Sequence, residues 1–364
     1  MKKLFFVMAV FLLTVSIPTT VLAQPFQIPE SYDFSIEISL ESNATSSEYQ
    51  EYLNLLLALF GDPTIKAQGT IIQDTETFRA GHLYMEVELY SGLSYIPFTL
   101  WMDYDFTDPE DIVYKTIVEL PKALWALMAL ADPGFARPYW VLDFSVLFTE
   151  FPEMTDLLVI MDETGLMDAL DYNDIAALLP ETESLGDNNY RLVITDEDLK
   201  GILVMFIEAS VDDMHKSFAN GFADAFIPDT DAEMFEALIS ETIEEIYASI
   251  GMLSEILQNV IIIPEDWVTY FTVDENGYPV QVDSRAQFIF DVQDWIIAVA
   301  NTDPYFAVRV AAGEIDVPDI VITVDFEFSG TFENINTAQR SAPPILTPEN
   351  SVDVFNLIPW EALQ

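Results

Sequence analysis

Along Tyr32-Asp33-Phe34-Ser35-Ile36-Glu37-Ile38-Ser39-Leu40, apolar and polar side chains alternate without a break. A period of two is the pleat of a strand with one face in a core and the other in water. The same period runs through Leu83, Met85, Val87 and Leu89, and through Phe98, Leu100, Met102 and Tyr104. It returns late in the chain at Val280, Val282, Ala286, Phe288 and Phe290, and at Ile320, Ile322, Val324, Phe326 and Phe328. A chain patterned this way at both ends must build a large sheet and find cover for its apolar side.

Between those ends the period changes. Thr195-Asp196-Glu197-Asp198 reads as an acidic helix cap before Leu199, Ile202, Leu203 and Phe206. Thr230-Asp231-Ala232-Glu233 is a capping box, and Phe235, Leu238, Ile239, Ile243, Ile246 and Ile250 continue from it as a helical stripe towards Val260. A short helix is expected over Glu48 to Phe60, and strands over Ile65 to Gln73, Ile112 to Leu120 and Trp140 to Phe144. Asn276-Gly277 is a strong hairpin signal, because both residues tolerate positive φ. The expected fold class is α+β: a large antiparallel, curved, half-barrel-like sheet with amphipathic helices covering its apolar face. Residues 24–364 read as a single elaborated domain, strand-rich over 24–145, with a helical insertion over about 146–262 and strand-rich again over 263–364.

Residues 1–23 read as a signal peptide. Lys2 and Lys3 supply the positive start, Leu4 to Val15 the apolar stretch, and Val21-Leu22-Ala23 the residues before a cut ahead of Gln24. The apolar run is shorter than the roughly 20 residues that cross a bilayer, so no integral span is expected after cleavage. The mature protein is therefore expected to be secreted or extracytoplasmic. The chain holds no cysteine, which excludes disulfides, thiolate catalysis, zinc–thiolate sites and a lipidated cysteine.

Sixty-two acidic residues against 13 basic ones give a formal net charge of −49. Nucleic acid and anionic membrane surfaces are poor partners for such a chain. Two readings of the charge stay open: a solvated acidic shell, or binding of divalent cations. The local candidate for calcium is Asp103, Asp105 and Asp108, whose oxygens are close in sequence. The glycine and glutamate of an EF-hand loop are missing there, since Asp108 and Tyr114 stand in their places.

In its order of elements the chain resembles the LolA-like and LppX/LprG-like superfamily of secreted bacterial lipid and lipoprotein carriers. The resemblance rests on Val118-Glu119-Leu120-Pro121, Tyr139-Trp140-Val141-Leu142-Asp143 and the hairpin from Phe271 to Pro279. It continues in the ending from Phe328 to Asn336 with Ile345-Leu346-Thr347-Pro348-Glu349. It implies a half-open barrel whose concave apolar face, covered by helices, holds acyl chains. It covers the two strand-rich ends and not the helical middle.

Three functions stay in view. The first is a non-enzymatic binding protein holding a lipid, a lipoprotein acyl chain or another hydrophobic ligand between sheet and helices. Its expected lining is Phe34, Ile36, Ile38, Phe98, Leu100 and Met102 from the first end, with Phe288, Phe290, Val324 and Phe326 from the second. The same residues serve equally as plain packed core. The second is an acidic cell-surface structural or interaction protein with cation-dependent binding. The third, an extracellular carboxylate-based hydrolase, has the least behind it. His82 and His215 are the only histidines, neither lies in a nucleophile or metal motif, and no cofactor is expected. Asn43-Ala44-Thr45 fits a glycosylation sequon and matters only in a eukaryotic source.

Overall fold

The structure, a computed structural model, describes residues 27–54, 62–75, 79–92, 94–108, 112–128, 130, 133–146, 180–202, 261–302, 304–315 and 317–355. The signal segment, His215 and the helical stripe from Phe235 to Val260 lie outside the described residues.

Among the described residues the fold is α+β and strand-rich. The strands are β1 (Ser31–Thr45), β2 (Thr64–Gln73), β3 (Ala80–Ser91), β4 (Ser94–Asp105), β5 (Val113–Glu119), β6 (Tyr139–Asp143), β7 (Glu183–Gly186) and β8 (Asn189–Ile194). They continue with β9 (Ile261–Ile262), β10 (Trp267–Val273), β11 (Pro279–Asp291), β12 (Val321–Glu333) and β13 (Ser351–Asp353). Helices with both ends described include α1 (Lys122–Met128), α2 (Val292–Thr302) and α3 (Pro304–Ala311). All the strands join one open sheet. Twelve follow the order β13-β6-β5-β4-β3-β2-β1-β12-β11-β10-β8-β7, and β9 pairs with β11 beyond the end of β10. Every pairing is antiparallel except that of β13 with β6.

The central seam is β1 against β12, which unites the two ends of the sequence. Register then places the alternating residues. Phe34 faces Phe332 and Gly69, Ile36 faces Gly330 and Ala67, and Ile38 faces Phe328 and Ile65. One side of the sheet is therefore apolar from β8 to β6. The approach at Gly69 is so close that a Cβ there would lie 1.9 Å from the Tyr84 carbonyl oxygen, so only glycine is accommodated.

The main core lies on that apolar side. Val282 is fully buried, and Phe271, Val324, Phe326 and Leu192 are almost so. Ser284 belongs to this side and is satisfied inside it: Trp267 Nε1 donates to its Oγ at 2.6 Å, and Thr269 Oγ1 lies 2.8 Å away. That pairing removes the cost of burying a hydroxyl and an indole N–H.

Several local expectations hold in detail. Of the helix expected over Glu48 to Phe60, residues 50–54 are helical and 55–60 lie outside the described residues; Ser46 Oγ accepts from the amides of Glu48 and Tyr49. Thr195 caps the helical segment 196–202: its Oγ1 accepts from the Asp198 amide, and Asp198 accepts from the Thr195 amide in return. Leu199 and Ile202 of that segment pack on the main core.

Two expectations need correction. The stretch read as a helical insertion contains the β7–β8 hairpin, whose turn holds Asp187 at φ 51° and Asn188 at φ 61°. The hairpin expected at Asn276-Gly277 does join β10 to β11, but positive φ falls on Gly277 and not on Asn276. There Asp274 accepts from the amides of Asn276 and Tyr278, and the register shifts by a bulge at Thr272/Val273. The longer, bulged loop is stabilised by the Asp274 carboxylate, so a second left-handed residue is not required.

Candidate functional site

The ten apolar residues expected to line a site do share one side of the sheet. Phe34, Ile36, Ile38, Phe288, Val324 and Phe326 are buried, with accessibilities of 8% or less. Phe98 and Phe290 pack against the same core with part of their surface exposed. Leu100 and Met102 are half-buried, as are their neighbours in register, Met85, Leu83 and Val118. The apolar side therefore has two parts: a dry part over β10, β11, β12 and β1, and a half-covered part over β3, β4, β5 and β6. An aromatic row closes one end of the half-covered part. Tyr104 lies over Gly81, Tyr114 stacks on Phe144 with centroids 4.7 Å apart, and Phe355 meets Phe144 edge-on at 4.9 Å.

A large hollow among the described residues is on the opposite, polar side. It is a trough of about 1040 Å³ bordered by β11, β12, β1, β2, β3, β4, β5 and α1. Of the ten expected residues, Ile36 and Phe98 border it, and Phe34 borders a smaller adjoining hollow. Register makes its floor. Glu119 pairs with Thr99, Thr99 with Glu86, Glu86 with Gln68, Gln68 with Ser35, Ser35 with Thr331, and Thr331 with Gln281. A second row beside it runs Pro97, Glu88, Lys66, Glu37, Ser329 and Asp283. Trp125, Pro121 and Lys122 come from α1 and the residue before it.

The carboxylates of the trough are held in place. Tyr84 Oη donates to Glu86, and Gln68 Nε2 donates to the other Glu86 oxygen at 2.7 Å. Those two bonds hold the Glu86 carboxyl below the usual carboxylate range. Burial, with the bond to Glu86, pushes the Tyr84 phenol up to about 12. Tyr95 and Tyr90 both donate to Glu88 and lower it likewise. Lys66 Nζ lies 2.9 Å from Glu37.

The three carboxylates of the calcium candidate have separate surroundings. Asp103 is taken by Arg340, whose Nη2 donates to it at 2.5 Å, and by His82 Nδ1 at 2.8 Å. Asp105 accepts from the amide and hydroxyl of Thr107 in a local turn, and Asp108 is exposed. Among the described residues no three His, Cys, Asp or Glu side chains come together as a metal set. His82 itself is buried, and among the described residues its Nε2 has no hydrogen-bond partner.

That following segment is a strap, and the sequence carried little signal for it. Asn336 donates to the Ser31 carbonyl and accepts from the Glu30 amide, Arg340 reaches Asp103, and Pro348 accepts from Arg137. Leu346 packs on a second small core of Trp101, Ile117 and Val141 on the polar side, before β13 pairs with β6. No described helix is long and apolar enough to cross a membrane. Comparison of the chain with models of known families, with curated proteins and with solved structures finds no match.

Proposed function

We propose that this is a secreted, non-enzymatic binding protein that holds a hydrophobic ligand, a lipid or a lipoprotein acyl chain, on the apolar side of its sheet. The proposed architecture is a curved, half-barrel-like sheet with helices over that side, as in the LolA-like carriers it resembles. One observation carries the reading: the apolar side is dry over β10 to β1 but half-covered over β3 to β6, where Leu83, Met85, Leu100, Met102 and Val118 adjoin. An acyl chain laid there gains roughly 0.8 kcal/mol per CH₂ removed from water. Methionines at two of these positions adapt to chains of differing shape. The buried residues Phe34, Ile36, Ile38, Phe288, Val324 and Phe326 then act as the floor that fixes the strands, and Phe98, Leu100 and Met102 as the contact surface.

Native mass spectrometry of gently purified protein, with organic extraction of what travels with it, tests this. An acyl-chain ligand at one per chain, lost in Leu100→Gln and Met102→Gln variants that remain folded, is the expected result. A ligand-free mass, both as purified and after incubation with a panel of fatty acids, phospholipids and acylated peptides, overturns it.

A further inference from the structure

We propose that the polar trough is a second binding site, for a neutral, hydroxyl-rich oligosaccharide. It lies on the side of the sheet opposite the apolar ligand surface and does not depend on that reading. At about 1040 Å³ it stands at the upper end of small-molecule sites, which run to roughly 1,000 Å³. Its borders come from seven strands and α1, so several sugar rings in line fit its extent better than one.

The ligand class follows from the mixture of donors and acceptors. Ser35, Gln68, Thr99 and Thr331 both give and accept hydrogen bonds, Glu86 and Glu119 accept, and Lys66 and Lys122 donate. A sugar hydroxyl is itself donor and acceptor, so it pairs with each of these. An anionic chain would meet the carboxylates of Glu37, Glu86, Glu88, Glu119 and Asp283. A polycation would meet the two lysines and, carrying donors only, could not serve the donor atoms of the amides and ammonium groups. Trp125, Pro97 and Pro121 add an apolar wall against which the C–H faces of sugar rings pack. Tyr84 with Gln68, and Tyr90 with Tyr95, hold Glu86 and Glu88 in position before any ligand arrives, which lowers the ordering cost of binding.

Isothermal titration of the full chain with three neutral hexasaccharides tests the proposal: β-1,4-linked glucose, α-1,4-linked glucose and β-1,4-linked N-acetylglucosamine. Spermine and hexalysine serve as cationic comparators at low and high salt. At least one hexasaccharide is expected to bind one-to-one with little salt dependence. Affinity should fall about tenfold or more, near 1.4 kcal/mol, in Gln68→Ala and in Trp125→Ala, and hold in Tyr305→Ala on α3. Gln68 sits on the solvent side of β2, so its truncation reads the trough even if Trp125→Ala unfolds. Binding of the cations alone with steep salt dependence overturns the proposal. So does silence from all three hexasaccharides, or binding indifferent to Gln68→Ala. Lipid occupancy, measured on the same Gln68→Ala sample, is expected to be unchanged, which separates failure here from failure of the apolar-ligand reading.

Discussion

The strands β10, β11, β12 and β1 and the strands β3 to β6 carry the same alternation and share the trough on their polar side, yet only the second group also carries a small core there. In the first group the apolar side is sealed, with Val282, Phe271 and Phe326 at 0–1% accessibility, and the polar side is open over β11, β12 and β1 as part of the trough. In the second group the apolar side is half-covered at Leu100 and Met102, while Trp101, Ile117 and Val141 form a small core on the other side under Leu346 of the strap. A period of two assigns each residue to a side. It does not say which side gains cover, because cover comes from segments far away in sequence.

The sharpest way to break this contrast is to delete side chains from each part. Phe326→Ala should cost about 3–5 kcal/mol, since the dry core cannot collapse onto the space left behind. Leu100→Ala should cost less, on the order of 1–2 kcal/mol, because part of its surface already meets water. Urea unfolding of both variants reads the difference. Equal losses would mean that the β3–β6 side is as tightly packed as the rest.

A polar deletion sharpens the same point at smaller size. Ser284→Ala leaves the Trp267 indole N–H and the Thr269 hydroxyl buried without that partner, at a cost of about 1–3 kcal/mol. Thr99→Ala, on the trough floor, should stay within roughly 0.5 kcal/mol, as for an ordinary solvent-facing substitution. The ratio of the two urea midpoint shifts is the measurement, and a large loss at Thr99 would make the trough a structural network instead of a vacant surface.

The strap gives a local test. Leu346→Asp sets a carboxylate against Trp101, Ile117 and Val141, so the strap should lift while the main core stays closed. Hydrogen exchange should quicken at Ser351–Asp353 and Tyr139–Asp143, where β13 pairs with β6, and remain slow at β11 and β12. Uniform quickening across the sheet would show that the two halves unfold as one.

What could be read in advance follows from how local each signal is. The strands around Phe34, Met85, Leu100, Phe288 and Phe326, their shared side and the Thr195 cap were legible, since each depends on neighbours a few residues away. The β7–β8 hairpin was not: all four β7 residues are exposed, so they carry no apolar alternation, and only Gly186-Asp187-Asn188-Asn189 hints at the turn. The trough was hidden for a different reason. Gln281, Thr331, Ser35, Gln68, Glu86, Thr99 and Glu119 come from seven strands and each looks like a solvent-facing position on its own; only register makes them a row. Asp103, Asp105 and Asp108 are the opposite case. Closeness in sequence suggested a cluster, while Asp103 on β4 accepts from Arg340 of the strap.

The smallest expected effect is also the one that tells the trough from an ordinary wet face. Because Tyr84 and Gln68 hold the folded Glu86 carboxyl below its unfolded range, its contribution to stability is fully present above the unfolded value of about 4.3 and is lost as pH falls through the folded one. Stability measured by urea at pH 6, 5, 4 and 3 should therefore decline in the wild type more steeply than in Glu86→Gln, with the two curves converging at the acid end. Glu86 is only half-buried and borders an open trough, so the gap at pH 6 is small and reads as a modest midpoint shift. Parallel curves down to pH 3 would mean that Tyr84 and Gln68 do not hold the carboxylate in solution. The trough floor would then lack the fixed acceptor on which its selectivity for hydroxyl groups depends.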